Sequence, residues 1–366
     1  MRIVLAGGGT GGHLFPGIAL AQGLRTAAPM ATVSFFCTDR ALDGRQLSRY
    51  GLSSDVLPAP RLGGWKAALA FPFAFFAAVR RAGAYLDENR PDIVVALGGY
   101  GGAPAVRAAA ARGIPTVLLE QNVIPGRANR YLARRATRIL TQWPESVARF
   151  GRRAGKVEVT GNPVREEIVR RDAADARQSL GLDPARRTLL VMGGSQGAQA
   201  INRAFAAGEG ALRDFAGRLQ VVHLAGGADA AEALRGAYGR AGIPARVDAF
   251  SDDMPSLYGA ADFAVSRAGG TSIAELAAMG IPAALIPFPH AAENHQWYNA
   301  QAAAAGGGAF VVEEAALAAE LKTILERAAG PAEPLAKMAE RMKALGRPEA
   351  RRECARRVLE LGRREA

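Results

Sequence analysis

The chain has 366 residues, 49% apolar and 22% charged, which excludes disordered and fibrous classes and supplies enough length for two ordinary cores. Its two cysteines, Cys37 and Cys354, have no metal-type spacing and read as a buried residue and a tail residue in a reducing cytoplasm. The net charge of +12 is concentrated, because residues 61–165 hold 17 Lys or Arg against 6 Asp or Glu. That balance suits an anionic membrane, a phosphorylated substrate or a solvated arginine face; without an RRM, KH or zinc-finger pattern, nucleic acid is not an expected partner.

In chain order, a β-type run over 2–6 closes on Gly7-Gly8-Gly9-Thr10-Gly11-Gly12-His13. No signal-type region precedes it, which points to the cytoplasm. Glycines here let backbone N–H groups approach a phosphate, and a helix expected to begin near Pro16 adds its positive end. Strands over 32–36, 93–97, 116–119, 138–140 and 157–159 alternate with Ala-rich helices. Between them, 62–79 carries Trp65, Phe71, Phe73, Phe75 and Phe76 and closes on Arg80-Arg81. Its glycines, Lys66 and Pro72 make it too weak to span a bilayer. A monotopic contact with anionic lipid is expected, with packing into a core as the alternative.

After Asn162-Pro163 a charged helical linker runs through Arg187, and the pattern restarts over 188–192, closed by Gly193-Gly194-Ser195-Gln196-Gly197. Further strands are expected over 219–224, 246–250, 263–265, 283–288 and 309–312, with an amphipathic helical segment from Glu333. The alternation specifies an α/β fold with two parallel sheets facing across a cleft, each binding ligand at its C-terminal strand ends. The expected domains are 1–163, 164–340 and a C-terminal helix over 341–366 that can pack back on the first domain.

The first glycine turn matches Gly7-x-Gly9-x-x-Gly12 with Asp39 beyond the next strand, so a nicotinamide cofactor stays formally open, but it lacks the Walker ending. His13 follows directly. Near a helix start its cation is disfavoured, which suits a general base; donation to a backbone carbonyl is the alternative. Ser266-Arg267-Ala268-Gly269-Gly270-Thr271-Ser272-Ile273-Ala274-Glu275 again leads a strand into a helix. Glu275 there reads either as acceptor for a ribose diol or as partner of Ser272 in a capping box. In Pro287 to Gln296, the spacing of His290, Glu293 and His295 does not favour a metal, so none is expected; Gln296 and Asn299 are read as amides facing a sugar.

Gly8 to Pro16, Gly98-Gly99-Tyr100, Glu120-Gln121-Asn122, Gly161 to Arg165, Gly193 to Ala198, Ser266 to Gly269 and 287–299 together resemble the MurG family of bacterial transferases (glycosyltransferase family 28, GT-B type). The resemblance implies two Rossmann-like domains and inverting transfer of N-acetylglucosamine from UDP-N-acetylglucosamine to the 4-hydroxyl of undecaprenyl-linked muramyl-pentapeptide. It implies donor contacts at Thr10, Gly11, Gly12, Asn122, Arg165, Ser195, Ser251, Gly270 to Glu275 and Gln296, and acceptor-facing His13 and Tyr100, with His13 the preferred base and Glu120 its substitute. It also implies no cofactor or tightly bound metal, peripheral attachment at the cytoplasmic face of the cell membrane, and cell-wall synthesis proteins as possible partners. A UDP-sugar epimerase, another glycolipid transferase and a silent nucleotide-sugar scaffold are the rival readings.

Overall fold

The computed structural model describes residues 1–57, 64–194 and 198–363, and at 41–42, 64–69 and 363 the backbone alone. The chain divides into two units, Met1–Arg165 with Glu349 onward, and Glu166–Pro348. The first unit is built on β1 (Arg2–Ala6), β2 (Thr32–Cys37), β3 (Ser54–Val56), β4 (Ile93–Ala96), β5 (Thr116–Glu120), β6 (Arg138–Thr141) and β7 (Val157–Val159), in the order β3-β2-β1-β4-β5-β6-β7. The second holds β8 (Arg187–Met192), β9 (Leu219–Leu224), β10 (Ala245–Asp248), β11 (Phe263–Ser266), β12 (Ala283–Leu285) and β13 (Ala309–Val311), in the order β10-β9-β8-β11-β12-β13. Among the described residues every strand pair is parallel.

Apolar, buried residues on both faces of inner strands such as β1, β4, β8 and β11 explain why the sheets are covered on both sides. In β1, Ile3 and Leu5 join Leu14, Ile18 and Leu24 of the following helix, while Val4 and Ala6 join Ala82, Leu86 and Ala105 on the opposite face. Strand order reverses between β1 and β4 in the first sheet and between β8 and β11 in the second. Loops leaving the carboxyl ends of such neighbours diverge to opposite faces and leave room for a ligand. The glycine turns singled out in the sequence follow these four strands.

The division falls after Arg165 rather than after 163. The helix Ala332–Leu345 belongs to the second unit through buried Met342, against which Gly308 packs. The helix Ala350–Arg363 instead packs on the helix Gly11–Ala27 of the first unit. There Gly23 lies so close to the Arg351 carbonyl that a Cβ would fall 2.8 Å from it. Cys354 is therefore no tail residue. Its thiol is buried in this seam, donates to Thr160 Oγ1 at 3.2 Å, and is pushed by burial up to about 12.

Candidate active site

In the first unit, positive φ at Gly7, Gly8 and Gly9 carries the chain from β1 into the helix Gly11–Ala27. Asp43, buried near the start of the helix Ala41–Arg49, holds this turn from below. Its Oδ2 accepts the Gly9 N–H at 2.7 Å and the Thr38 hydroxyl at 2.6 Å, while Arg40 donates to the Gly9 carbonyl. A Cβ on Gly8, where φ is +136°, would fall 2.6 Å from that same carboxylate oxygen. The helix begins five residues before Pro16. Thr10 is its N-cap through the backbone carbonyl, which receives the N–H groups of His13 and Leu14, so His13 sits in the first turn.

The His13 ring lies against the backbone of Gly98 and Gly99, which leave β4, and its Nδ1 is 3.2 Å from Gln121 Oε1 at the end of β5. Tyr100, on the same loop, is 44% exposed. Thr10, Gly11, Gly12, His13, Tyr100 and Asn122 thus gather at the carboxyl ends of β1, β4 and β5. Glu120 is buried and accepts from the Asn122 N–H at 3.0 Å, Asn122 Nδ2 at 3.1 Å, the Gly126 N–H at 3.0 Å and Asn129 Nδ2 at 2.9 Å. Burial pushes its carboxyl upward and those hydrogen bonds oppose the rise. Committed on both oxygens, Glu120 shapes the loop that carries Asn122 and is poorly placed to act as the substitute base.

Arg165, expected among the donor contacts, is 3% exposed. Its guanidinium stacks over the Phe15 ring at 4.1 Å and donates to Tyr50 Oη at 3.3 Å. It supports the helix that carries His13 from inside the first unit, with the buried cation compensated by the ring.

In the second unit, Ser195 lies outside the described residues. The helix Gly270–Met279 follows β11 with Gly269 as its N-cap, so its first-turn N–H groups face out of the helix start. This places Ser272 within the first turn and dissolves the capping box. Glu275 is largely buried and accepts from Tyr258 Oη at 2.9 Å through Oε2. Ile273 is fully buried and its N–H bonds the Gly269 carbonyl, so its side chain faces the core rather than a donor; Ala274 follows it along the helix. Ser251 follows the outer strand β10, and its hydroxyl accepts the Asp253 N–H at 3.1 Å while keeping its own O–H to donate.

Three side chains that bind this unit's loops were read otherwise or passed over in the sequence. Arg267 is buried, donates to the Ile286 and Pro287 carbonyls at 3.2 and 3.4 Å, pairs with Glu314 and lies over Phe288. Asn299, expected to face a sugar, is buried and donates to the Ala268 carbonyl at 3.1 Å. Gln296 keeps a surface position, with Oε1 accepting the Phe288 N–H at 3.0 Å. Among the described residues, no group of three or more His, Cys, Asp or Glu is gathered as a metal site requires.

The aromatic stretch lies in the helix Gly64–Asn89. Phe73 and Phe76 are 81% and 71% exposed, whereas Phe75 packs against the core and stacks on Phe71 at 5.8 Å. Expected as a lipid contact, Phe75 therefore serves the interior; the Trp65 side chain lies outside the described residues. No helix among the described residues is long and apolar enough to cross a membrane.

Comparison with known proteins agrees with this architecture. Residues 3–141 match the model of the glycosyltransferase family 28 N-terminal domain, and residues 188–353 that of its C-terminal domain. The UDP-N-acetylglucosamine–N-acetylmuramyl-(pentapeptide) pyrophosphoryl-undecaprenol N-acetylglucosamine transferase of Myxococcus xanthus is 38% identical over 363 residues, covering 97% of this chain and 91% of that protein. The enzyme of the same name from a Nocardioides species is 39% identical, covering 99% and 98%. Acinetobacter baumannii MurG superposes with a TM-score of 0.76 at 26% identity, covering 98% of this chain and 99% of that one. A UDP-GlcNAc 2-epimerase from Neisseria meningitidis, at 14% identity and a TM-score of 0.68, shares the fold alone. Matched by family models in both halves and by such relatives along nearly its whole length, the chain belongs to glycosyltransferase family 28, in the MurG group of N-acetylglucosamine transferases.

Proposed function

We propose that this chain transfers N-acetylglucosamine from UDP-N-acetylglucosamine, with inversion, to the 4-hydroxyl of the muramyl sugar of undecaprenyl-pyrophosphoryl-MurNAc-pentapeptide. The observation that carries the reading is His13, set in the first turn behind a glycine loop and oriented by Gln121 at the carboxyl ends of adjacent strands. His13 takes the proton of the 4-hydroxyl as that oxygen attacks the anomeric carbon. The bond from that carbon to the diphosphate breaks, and UDP leaves with the electron pair.

The first-turn N–H groups from Gly270 receive the charge that develops on the leaving diphosphate. Glu275, steadied by Tyr258, accepts from the ribose hydroxyls, and Gln296 offers its Nε2 to the sugar. Thr10, Gly11, Gly12 and Asn122 complete the donor contacts, while Tyr100 faces the acceptor. No cofactor or resident metal enters this scheme.

The acceptor's lipid brings the enzyme to the cytoplasmic face of the bacterial cell membrane as a peripheral protein. Exposed Phe73 and Phe76, followed by Arg80 and Arg81, form the contact with anionic lipid, and cell-wall synthesis proteins are its expected partners there. Labelled N-acetylglucosamine is expected to move from UDP onto the lipid-linked acceptor in the presence of EDTA. Recovery of the label only as an epimerised or hydrolysed sugar rejects the transferase reading. For the membrane contact, Phe73→Glu with Phe76→Glu is expected to abolish cosedimentation with phosphatidylglycerol vesicles, and unchanged cosedimentation removes that contact.

A further inference from the structure

Gln121 is 3% exposed, and its side-chain amide faces two groups of fixed hydrogen-bonding sense. Nε2 lies 3.0 Å from the Leu97 carbonyl oxygen, which only accepts. A flipped amide would set two oxygens against each other there, so the NH2 end is the one facing Leu97. The remaining end, Oε1, lies 3.2 Å from His13 Nδ1. An amide oxygen cannot donate, so Nδ1 must carry a hydrogen. A neutral imidazole has one N–H, and its lone pair then resides on Nε2.

We infer that Gln121 is a positioning residue for the transfer, holding neutral His13 in the Nδ1–H tautomer so that Nε2 takes the acceptor proton. This rests on His13 being the base. The amide is itself braced, because Trp143, also buried, donates its Nε1–H to the Gln121 carbonyl at 3.1 Å. Gly98, at φ +105°, closes the other side. A Cβ there would fall 2.8 Å from His13 Nδ1 and 3.0 Å from Gln121 Oε1, so the fit of the pair depends on a glycine. An amide orients the ring without the negative charge a carboxylate would add, and so does not trap the proton on the imidazole after transfer.

The chain holds four histidines, and the nitrogen spectrum of the full-length protein labelled with ¹⁵N-histidine resolves the tautomer directly once His13→Gln has identified the signals. The expected result is a neutral His13 with hydrogen on Nδ1 and a pyridine-type Nε2. A neutral His13 with hydrogen on Nε2 overturns the proposal without recourse to any variant of Gln121. Gln121→Leu is expected to move His13 toward the Nε2–H form and to lower kcat at least about tenfold, with KM for both substrates within about twofold of wild type. An unchanged tautomer in that variant, or a loss confined to KM, also overturns it. Full kcat in His13→Ala removes the base reading itself, whereas an inactive His13→Ala beside a wild-type Nε2–H tautomer removes only the role of Gln121.

Discussion

The two glycine turns are held by groups of opposite charge. In the first unit a buried carboxylate, Asp43, takes up the Gly9 N–H and places negative charge beneath the loop. In the second a buried guanidinium, Arg267, takes up carbonyls at Ile286 and Pro287, while the helix from Gly270 keeps its first-turn N–H groups facing outward. A loop anchored through the Gly9 N–H on a buried carboxylate is a rigid base for His13. A turn beside a cation and a helix start suits the leaving group. The difference lies in what supports each turn, since both are rich in glycine.

The largest test of this division is His13→Ala. Its kcat is expected to fall by about 10²- to 10⁴-fold with UDP binding retained, as measured by steady-state transfer and calorimetric titration; near-normal kcat would break the assignment of the base to the first turn. Next is Arg267→Ala, which strands half-buried Glu314 and two carbonyls. A loss of about 3–5 kcal/mol in urea unfolding is expected, together with weaker UDP-N-acetylglucosamine binding. Asp43→Ala is expected to cost about 1–3 kcal/mol and to lower kcat with little change in donor KM. If donor KM rises most in Asp43→Ala, the two turns do not divide their work as described.

The smallest effect concerns acid stability in the second unit. His223, held between Tyr238 Oη at 2.7 Å and Asn202 Oδ1 at 3.1 Å, is pushed by burial down to about 3. Asn202 lies on the helix Gln199–Ala207 that follows the second glycine loop. Between the ordinary imidazole value of about 6.5 and that depressed value, the unfolded chain binds a proton that the folded one does not. Stability from this group is therefore full above pH 6.5 and declines as pH falls toward that depressed value. Urea midpoints across that window are expected to show a shallower slope in His223→Gln.

The alternation of strands and helices was legible because apolar runs of five or six residues recur between glycine punctuation. The short edge strand Ser54–Val56 was missed, since all three residues are exposed and two of them, Ser54 and Asp55, are polar, so the run carries no such signal. The expected strand over 283–288 overshot because Ile286 and Pro287 continue the apolar run after pairing has stopped. Pro16 misplaced the start of the His13 helix: proline favours a first turn, but here it sits inside, where it forgoes only the bond to the Gly12 carbonyl. His13 and the turn at Gly270 stood out through glycine spacing. Their supports did not, because Gln121 meets His13, Asp43 meets Gly9 and Arg267 meets Glu314 across long stretches of chain that only the fold brings together.

The helix Ala350–Arg363, packed on the helix that bears His13, gives the first unit a late completion date. During synthesis its first 165 residues emerge with Leu14, Ile18 and Leu24 lacking the cover later supplied by Cys354, Ala355 and Val358. The second unit, whose residues run without interruption from Glu166 to Pro348, is made in full before that cover arrives. The half translated first is thus the half finished last, and the order of folding runs against the order of the genetic message.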